Sequence, residues 1–180
     1  MPIASHMIYY FQTNTTGEKM KNIINYTIVV LLFGIVGCAT TVDLDETMVE
    51  VQNEIRKAYK IWETKDINSV KEIYAENTVV FGTDEFEYFT DIDELEATYK
   101  ALLAATNDPI FDFKNETIHI SPSGDMASYS HKLNMTFTSQ GEPGKLEGVR
   151  VSGVLVKKGS SWKHVQLHWS IGVKGQVVEY

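Results

Sequence analysis

The sequence predicts an α+β domain of about three N-terminal helices packed on a curved, mainly antiparallel sheet. Three observations point there. In the first half of the domain apolar residues recur at spacings of three and four, which is helical periodicity. The second half holds four long stretches rich in Val, Ile, Thr, Phe and Tyr, separated by Gly-, Pro- and Ser-bearing turn clusters. Helices first and strands afterwards place the helices on one face of a sheet. Length and composition agree: 180 residues suit one main domain, and 43% hydrophobic with 22% charged residues is ordinary for a folded chain.

The first helix begins near Leu44, with Asp43 or Asp45 as cap, and carries Met48, Val51, Ile55, Ala58, Tyr59 and Trp62 on one face; Lys65-Asp66 ends it. A shorter helix over about Asn68–Ala75 presents Val70, Ile73 and Tyr74. Thr78 to Gly82 reads as a strand, with Phe86 to Thr90 pairing near it. Thr90, Asp91 and Asp93 offer caps for a third helix with Leu95, Tyr99, Leu102 and Leu103 as its stripe, and Asn107-Asp108-Pro109 stops it. Residues 111–120, 126–139, 145–158 and 162–173 are the long strands of an antiparallel meander. Gly148 and Gly153 inside the third of these mark a bulge or bend. In 111–120, Phe111 and Phe113 favour one face while Ile118 and Ile120 favour the other, so a bulge lies between them at a position the pattern does not reveal.

Ahead of the domain, residues 23–37 read IINYTIVVLLFGIVG, preceded by Lys19 and Lys21. Crossing a bilayer takes about 20 apolar residues, and this run is shorter, so it suits the apolar core of a secretory signal. Ile35-Val36-Gly37-Cys38 at its end has the form of a bacterial lipobox, whose cysteine is lipidated after cleavage. Residues 1–37 are then a signal-peptide region, of which 1–19 are an overextended start ahead of Met20-Lys21. Residues 38–44 form a lipidated tether, 45–175 the domain and 176–180 a C-terminal tail. The expected location is the bacterial cell envelope, lipid-anchored on the periplasmic or outer-membrane side. Cys38 is the one cysteine, which excludes an intrachain disulfide and a Cys-based zinc site. The net charge of −8 excludes a nucleic-acid partner of the usual basic kind.

The final strand, Trp162-Lys163-His164-Val165-Gln166-Leu167-His168-Trp169-Ser170, and the stretch Val79-Val80-Phe81-Gly82-Thr83 resemble the SnoaL-like, nuclear-transport-factor-2-like superfamily. The likeness covers about Asp45 to Val173. It implies a cone-shaped, cystatin-like fold with a pocket between helices and concave sheet, and a homodimer. Gln166 stands where the family commonly carries the first of two alternating histidines, while His168 and Ser170 remain. By strict alternation Trp162, His164, Gln166, His168 and Ser170 share one face of this strand, and Val165, Leu167, Trp169 and Ile171 the other. The family geometry turns the polar set toward the pocket and leaves Val165, Leu167 and Trp169 as a dimer face.

His168 is accordingly the first candidate for a base, acid or ligand-orienting donor, with His131 on a neighbouring strand converging on it. Gln166 offers an amide toward a bound carbonyl. Tyr59, Trp62 and Phe81 suit an ordinary core and equally a ligand pocket between helix and sheet. His119, His164 and Arg150 have weaker claims, Arg150 because parity turns it outward. No carboxylate falls at an inward strand position of the ketosteroid isomerase kind, and no phosphate loop, nucleophile elbow or HExxH motif is present. No metal or other cofactor is expected. Three readings stay open: a non-catalytic envelope domain binding a small apolar or amphipathic molecule, a cofactor-independent isomerase, dehydratase or cyclase using the pocket histidines, and an assembly module.

Overall fold

The computed structural model describes residues 42–172. The signal region, Cys38, most of the tether and the 176–180 tail lie outside the described residues.

Three helices precede or interrupt the first strands. Helix α1 spans Leu44–Thr64, α2 Ser69–Ile73 and α3 Ile92–Ala105. Asp43 caps α1 by accepting from the amides of Asp45 (3.0 Å) and Glu46 (3.1 Å), and Asp91 caps α3 from Asp93 (2.8 Å) and Glu94 (3.1 Å). Lys65 ends α1 in a left-handed conformation at φ 59°. Its ammonium donates to the carbonyls of Leu103 and Thr106, so the residue closing α1 also neutralises the negative end of α3. Val51, Ile55, Ala58 and Tyr59 are buried on α1, and Leu95, Tyr99 and Leu103 on α3.

The sheet has six strands: β1 Tyr74–Phe81, β2 Tyr88–Phe89, β3 Asn107–Ile120, β4 Met126–Ser139, β5 Glu142–Lys158 and β6 Ser161–Ser170, in the order β2-β1-β6-β5-β4-β3. All pairs are antiparallel except β1 with β6. Strands β1, β3 and β5 start earlier than the pattern predicts, β4 keeps the predicted bounds, and β6 ends at Ser170, short of the predicted 173. Tyr74 and Ala75 start β1 instead of ending a helix, because α2 is only five residues long. Pro109 lies within β3, which is tolerated because β3 is an edge. The β4–β5 turn is only Gln140-Gly141, both at positive φ (52° and 86°), which is the type I′ geometry that matches strand twist.

Three bulges decide which residues meet the helices. In β3 the register shifts between Lys114 and Thr117, with Asn115 at φ 54°, so Phe111 and Phe113 turn inward before it and Ile118 and Ile120 after it. In β5 the shift falls at Gly148, at φ 65°, whose amide donates to Asn134 Oδ1 at 2.9 Å. In β6, Leu155 faces His164 while Val154 faces Gln166, leaving Val165 as the extra residue. Gly153 marks no bulge. It makes room for the Tyr129 ring, whose Cε1 would lie 2.5 Å from an added Cβ.

The β6 bulge overturns the strict alternation. Trp162 and His164 before it, and Leu167 after it, are buried against the helices, with Trp169 half-buried beside them, while Gln166, His168 and Ser170 point to the other face. Leu167 is 3% exposed and packs in the core. The expected dimer face of Val165, Leu167 and Trp169 therefore does not exist as a surface. A single extra residue exchanges the two sets.

Candidate functional site

Between α1, α3 and the sheet lies a cleft of about 150 Å3. Its walls are mainly apolar: Leu95 and Leu102 from α3, Met135 from β4, Leu146 from β5, Leu167 and Trp169 from β6. The α3 stripe read from the sequence supplies one wall; the sheet wall was hidden by the bulges. Trp62 reaches in from α1, its ring 5.9 Å from that of Tyr99, and its buried Nε1–H has no hydrogen-bond partner. Tyr99 shares a 2.7 Å hydrogen bond with Tyr74, and burial pushes its hydroxyl up to about 12. Glu87 stands at the rim with Thr83, where Oε2 accepts from the amides of Thr83 (2.7 Å) and Asp84 (3.0 Å) and so holds the β1–β2 loop. Glu87 and Tyr99 are the ionisable side chains of the lining.

The sequence candidates scatter around this cleft. Of the expected pocket residues only Trp62 lines it, joined by Leu167 and Trp169 of the expected dimer face. Tyr59 is buried one layer away, its ring 5.8 Å from Trp169 and edge-on to Phe111 and Phe113. Its hydroxyl lies 2.5 Å from His131 Nε2. Burial holds His131 down at about 4, outweighing the opposing pull of Glu116, so the ring is neutral near pH 7. Burial also raises the Tyr59 phenol, so both partners of this contact are neutral near pH 7. His131 Nδ1 lies 3.9 Å from Glu116 Oε2, and Glu116 in turn pairs with Arg56 at 2.8 Å. Glu116 reaches this cluster because the Asn115 bulge turns it inward. Neither Glu116 nor Arg56 carries a signal in the sequence that would single it out.

A second buried histidine, His164, sits 3.2 Å from the Tyr129 hydroxyl and is likewise pushed down to about 4 by burial. The two clusters touch, since the Tyr129 ring stacks on His131 at 5.6 Å and 18°. These are neutral hydrogen-bonded core groups, and neither histidine belongs to the cleft lining. His168 and Gln166 lie on the opposite face, so His131 and His168 do not converge. Phe81, 42% exposed, faces outward too, with Tyr88 at 4.9 Å and His168 at 5.7 Å. His119 and Arg150 are exposed, Arg150 outward as its parity implied. Among the described residues no cluster of His, Cys, Asp and Glu has the form of a metal site, and no helix is long and apolar enough to cross a membrane.

A model of the SnoaL-like domain matches residues 51–174. Among curated proteins none matches the chain in sequence. Three solved structures are similar to it. A nuclear transport factor 2-like superfamily protein from Salmonella enterica superposes with a TM-score of 0.65 at 16% identity, over 76% of this chain and 99% of that one. A candidate dehydratase of the same family from Streptomyces avermitilis gives 0.62 at 16% identity, over 72% and 99%. A protein with a cystatin-like fold from Caulobacter vibrioides gives 0.58 at 15% identity, over 72% and 92%. Likeness at such identities is likeness of fold.

Proposed function

The chain belongs to the SnoaL-like domain family, and from that premise we propose that it binds a small apolar or amphipathic molecule in the cleft beneath α3. The carrying observation is an apolar cavity with one unpaired donor, the Nε1–H of Trp62. A volume near 150 Å3 matches cavities that accept a benzene-sized guest. A buried donor without a partner favours a ligand that brings an acceptor. The ligand class is therefore a single-ring or similarly compact molecule with one carbonyl or ether oxygen.

Quenching of tryptophan fluorescence by acetophenone, with toluene as the acceptor-free control, tests this, because Trp62 and Trp169 both line the cleft. Saturable quenching is expected. Trp62→Phe keeps an aromatic ring but removes the donor, so it should weaken acetophenone relative to toluene by about fivefold, as one neutral hydrogen bond is worth about 1 kcal/mol. The binding reading fails if no compact ligand on a broad panel quenches saturably.

An isomerase, dehydratase or cyclase working through pocket histidines is not what this geometry favours. The ionisable groups of the lining are Glu87, engaged by loop amides, and Tyr99, engaged by Tyr74. Binding without turnover is the simpler function of such a lining. The proposal keeps lipid attachment at Cys38 and a place in the cell envelope, supported by the form of residues 23–38. It also keeps a homodimer, whose remaining apolar candidates are the exposed Phe81, Phe86 and Tyr88 beside the β1–β2 edge. Cell fractionation checks the first: Cys38→Ser should release the chain from the membrane pellet, and retention there would refute lipid anchoring. Sedimentation of the detergent-solubilised chain checks the second, a monomer excluding both the dimer and the assembly-module alternative.

A further inference from the structure

The sheet face turned away from the helices holds a separate recess of about 260 Å3. Its side chains form a cross-strand grid. Lys132 on β4 faces Arg150 on β5, which faces Ser170 on β6. Two residues along, Ser130 faces Ser152, which faces His168. At the usual strand spacing these six project from an area of about 10 by 7 Å. His168 is held edge-on against Phe81, with ring centroids 5.7 Å apart.

The charge pattern of this recess is unlike that of the chain. The whole sequence carries 24 acidic against 16 basic residues, yet no carboxylate lines the recess. The cationic row continues onto β3, where Lys114 faces Lys132. Lys114 has a carboxylate of its own, Asp112 at 3.1 Å, but among the described residues Lys132 and Arg150 have no ion-pair partner. Like charges set opposite each other on adjacent strands destabilise a sheet. A bound anion relieves that repulsion.

We propose that the recess binds the phosphate group of a small soluble molecule. Arg150 supplies a planar fork of donors and Lys132 a compact charge, while the serine hydroxyls and His168 complete the donor set around the anion. A phosphate carries enough charge and oxygens to engage both cations together with the hydroxyls; a carboxylate, with one charge and two oxygens, leaves one cation unmatched.

The test is titration of the full-length chain with inorganic phosphate at constant ionic strength, followed by calorimetry and by thermal melting. Saturable binding is expected, with Tm rising by about 4 °C at ten times Kd. Arg150→Gln and Lys132→Gln should each weaken phosphate at least tenfold. In phosphate-free buffer Arg150→Gln should melt no lower than the parent, since it removes one of two opposed cations. Lys145→Gln, on the same strand but outside the recess, should retain parental affinity. Any one of three results overturns the proposal: a response that chloride reproduces at equal ionic strength, phosphate binding retained by both recess variants, or a dimer whose recess admits no phosphate.

Discussion

The two faces of the sheet are built from the same strands and differ in almost every physical property. The helix-covered face carries Tyr129, His131, Leu133 and Met135 from β4, and Val149, Val151 and Leu155 from β5, all buried. The open face carries Ser128, Ser130 and Lys132 from the same β4 residues in between, and Arg150 and Ser152 from β5. Histidine shows the contrast most sharply. His164 is fully buried and neutral, whereas His168, four residues on, is exposed on the other side. Four residues of unbroken strand would have put both on one face; the extra residue at Val165 separates them. Chemistry on this sheet is allotted by bulges as much as by residue type.

The largest test of that contrast is pH. His131 and His164 have folded-state values of about 4, below the ordinary 6.5 they regain on unfolding. The unfolded chain therefore takes up these protons first. Their contribution is complete above about pH 6.5 and is lost as pH falls toward 4, by about 3 kcal/mol for each group. Urea midpoints measured from pH 7 to pH 4 should fall steeply through that window. A midpoint that stays flat between pH 6.5 and 4.5 would contradict the buried, neutral assignment of both rings.

A smaller, sharper comparison uses adjacent residues of β6. Leu167→Ala should cost about 3 kcal/mol in urea unfolding, because it opens a cavity where core and cleft meet. His168→Ala, one residue on and exposed, should cost less than about 0.5 kcal/mol. Similar costs at the two positions would mean that the faces are not divided at Val165.

Much of the fold was legible in the sequence because periodicity carries it. The α1 and α3 stripes, the four long strands and the caps Asp43 and Asp91 all follow from residue type and spacing. Gly148 announced its bulge, while Gly153, of the same appearance in the sequence, instead makes room for the Tyr129 ring. Asn115 tolerates positive φ, yet nothing else distinguished it from neighbouring positions, so the β3 bulge was expected without a place. Val165 gave no sign at all. It is β-branched and sits in a run that reads as perfect strand, and its bulge shows only in the register with β5. On β6 the site reading turned on that one residue, which sent His168 and Gln166 inward and Leu167 and Trp169 outward. Trp62 lines the cleft from α1, while Tyr59 on the same helix lies one layer deeper.

The lone parallel pairing carries a consequence for how the molecule assembles in time. The β3 to β6 meander closes through short local turns, but β1 must find β6 across most of the domain, with Phe81 opposite His168. Loop-closure entropy makes such a long-range pairing slow, and it comes after the local hairpins have formed. Val80 of β1 and Leu167 of β6 are partners in this pairing and both line the cleft. On this ordering the cleft is completed only when β1 docks on β6, so a ligand of the proposed kind would bind the fully assembled sheet and not an earlier hairpin stage.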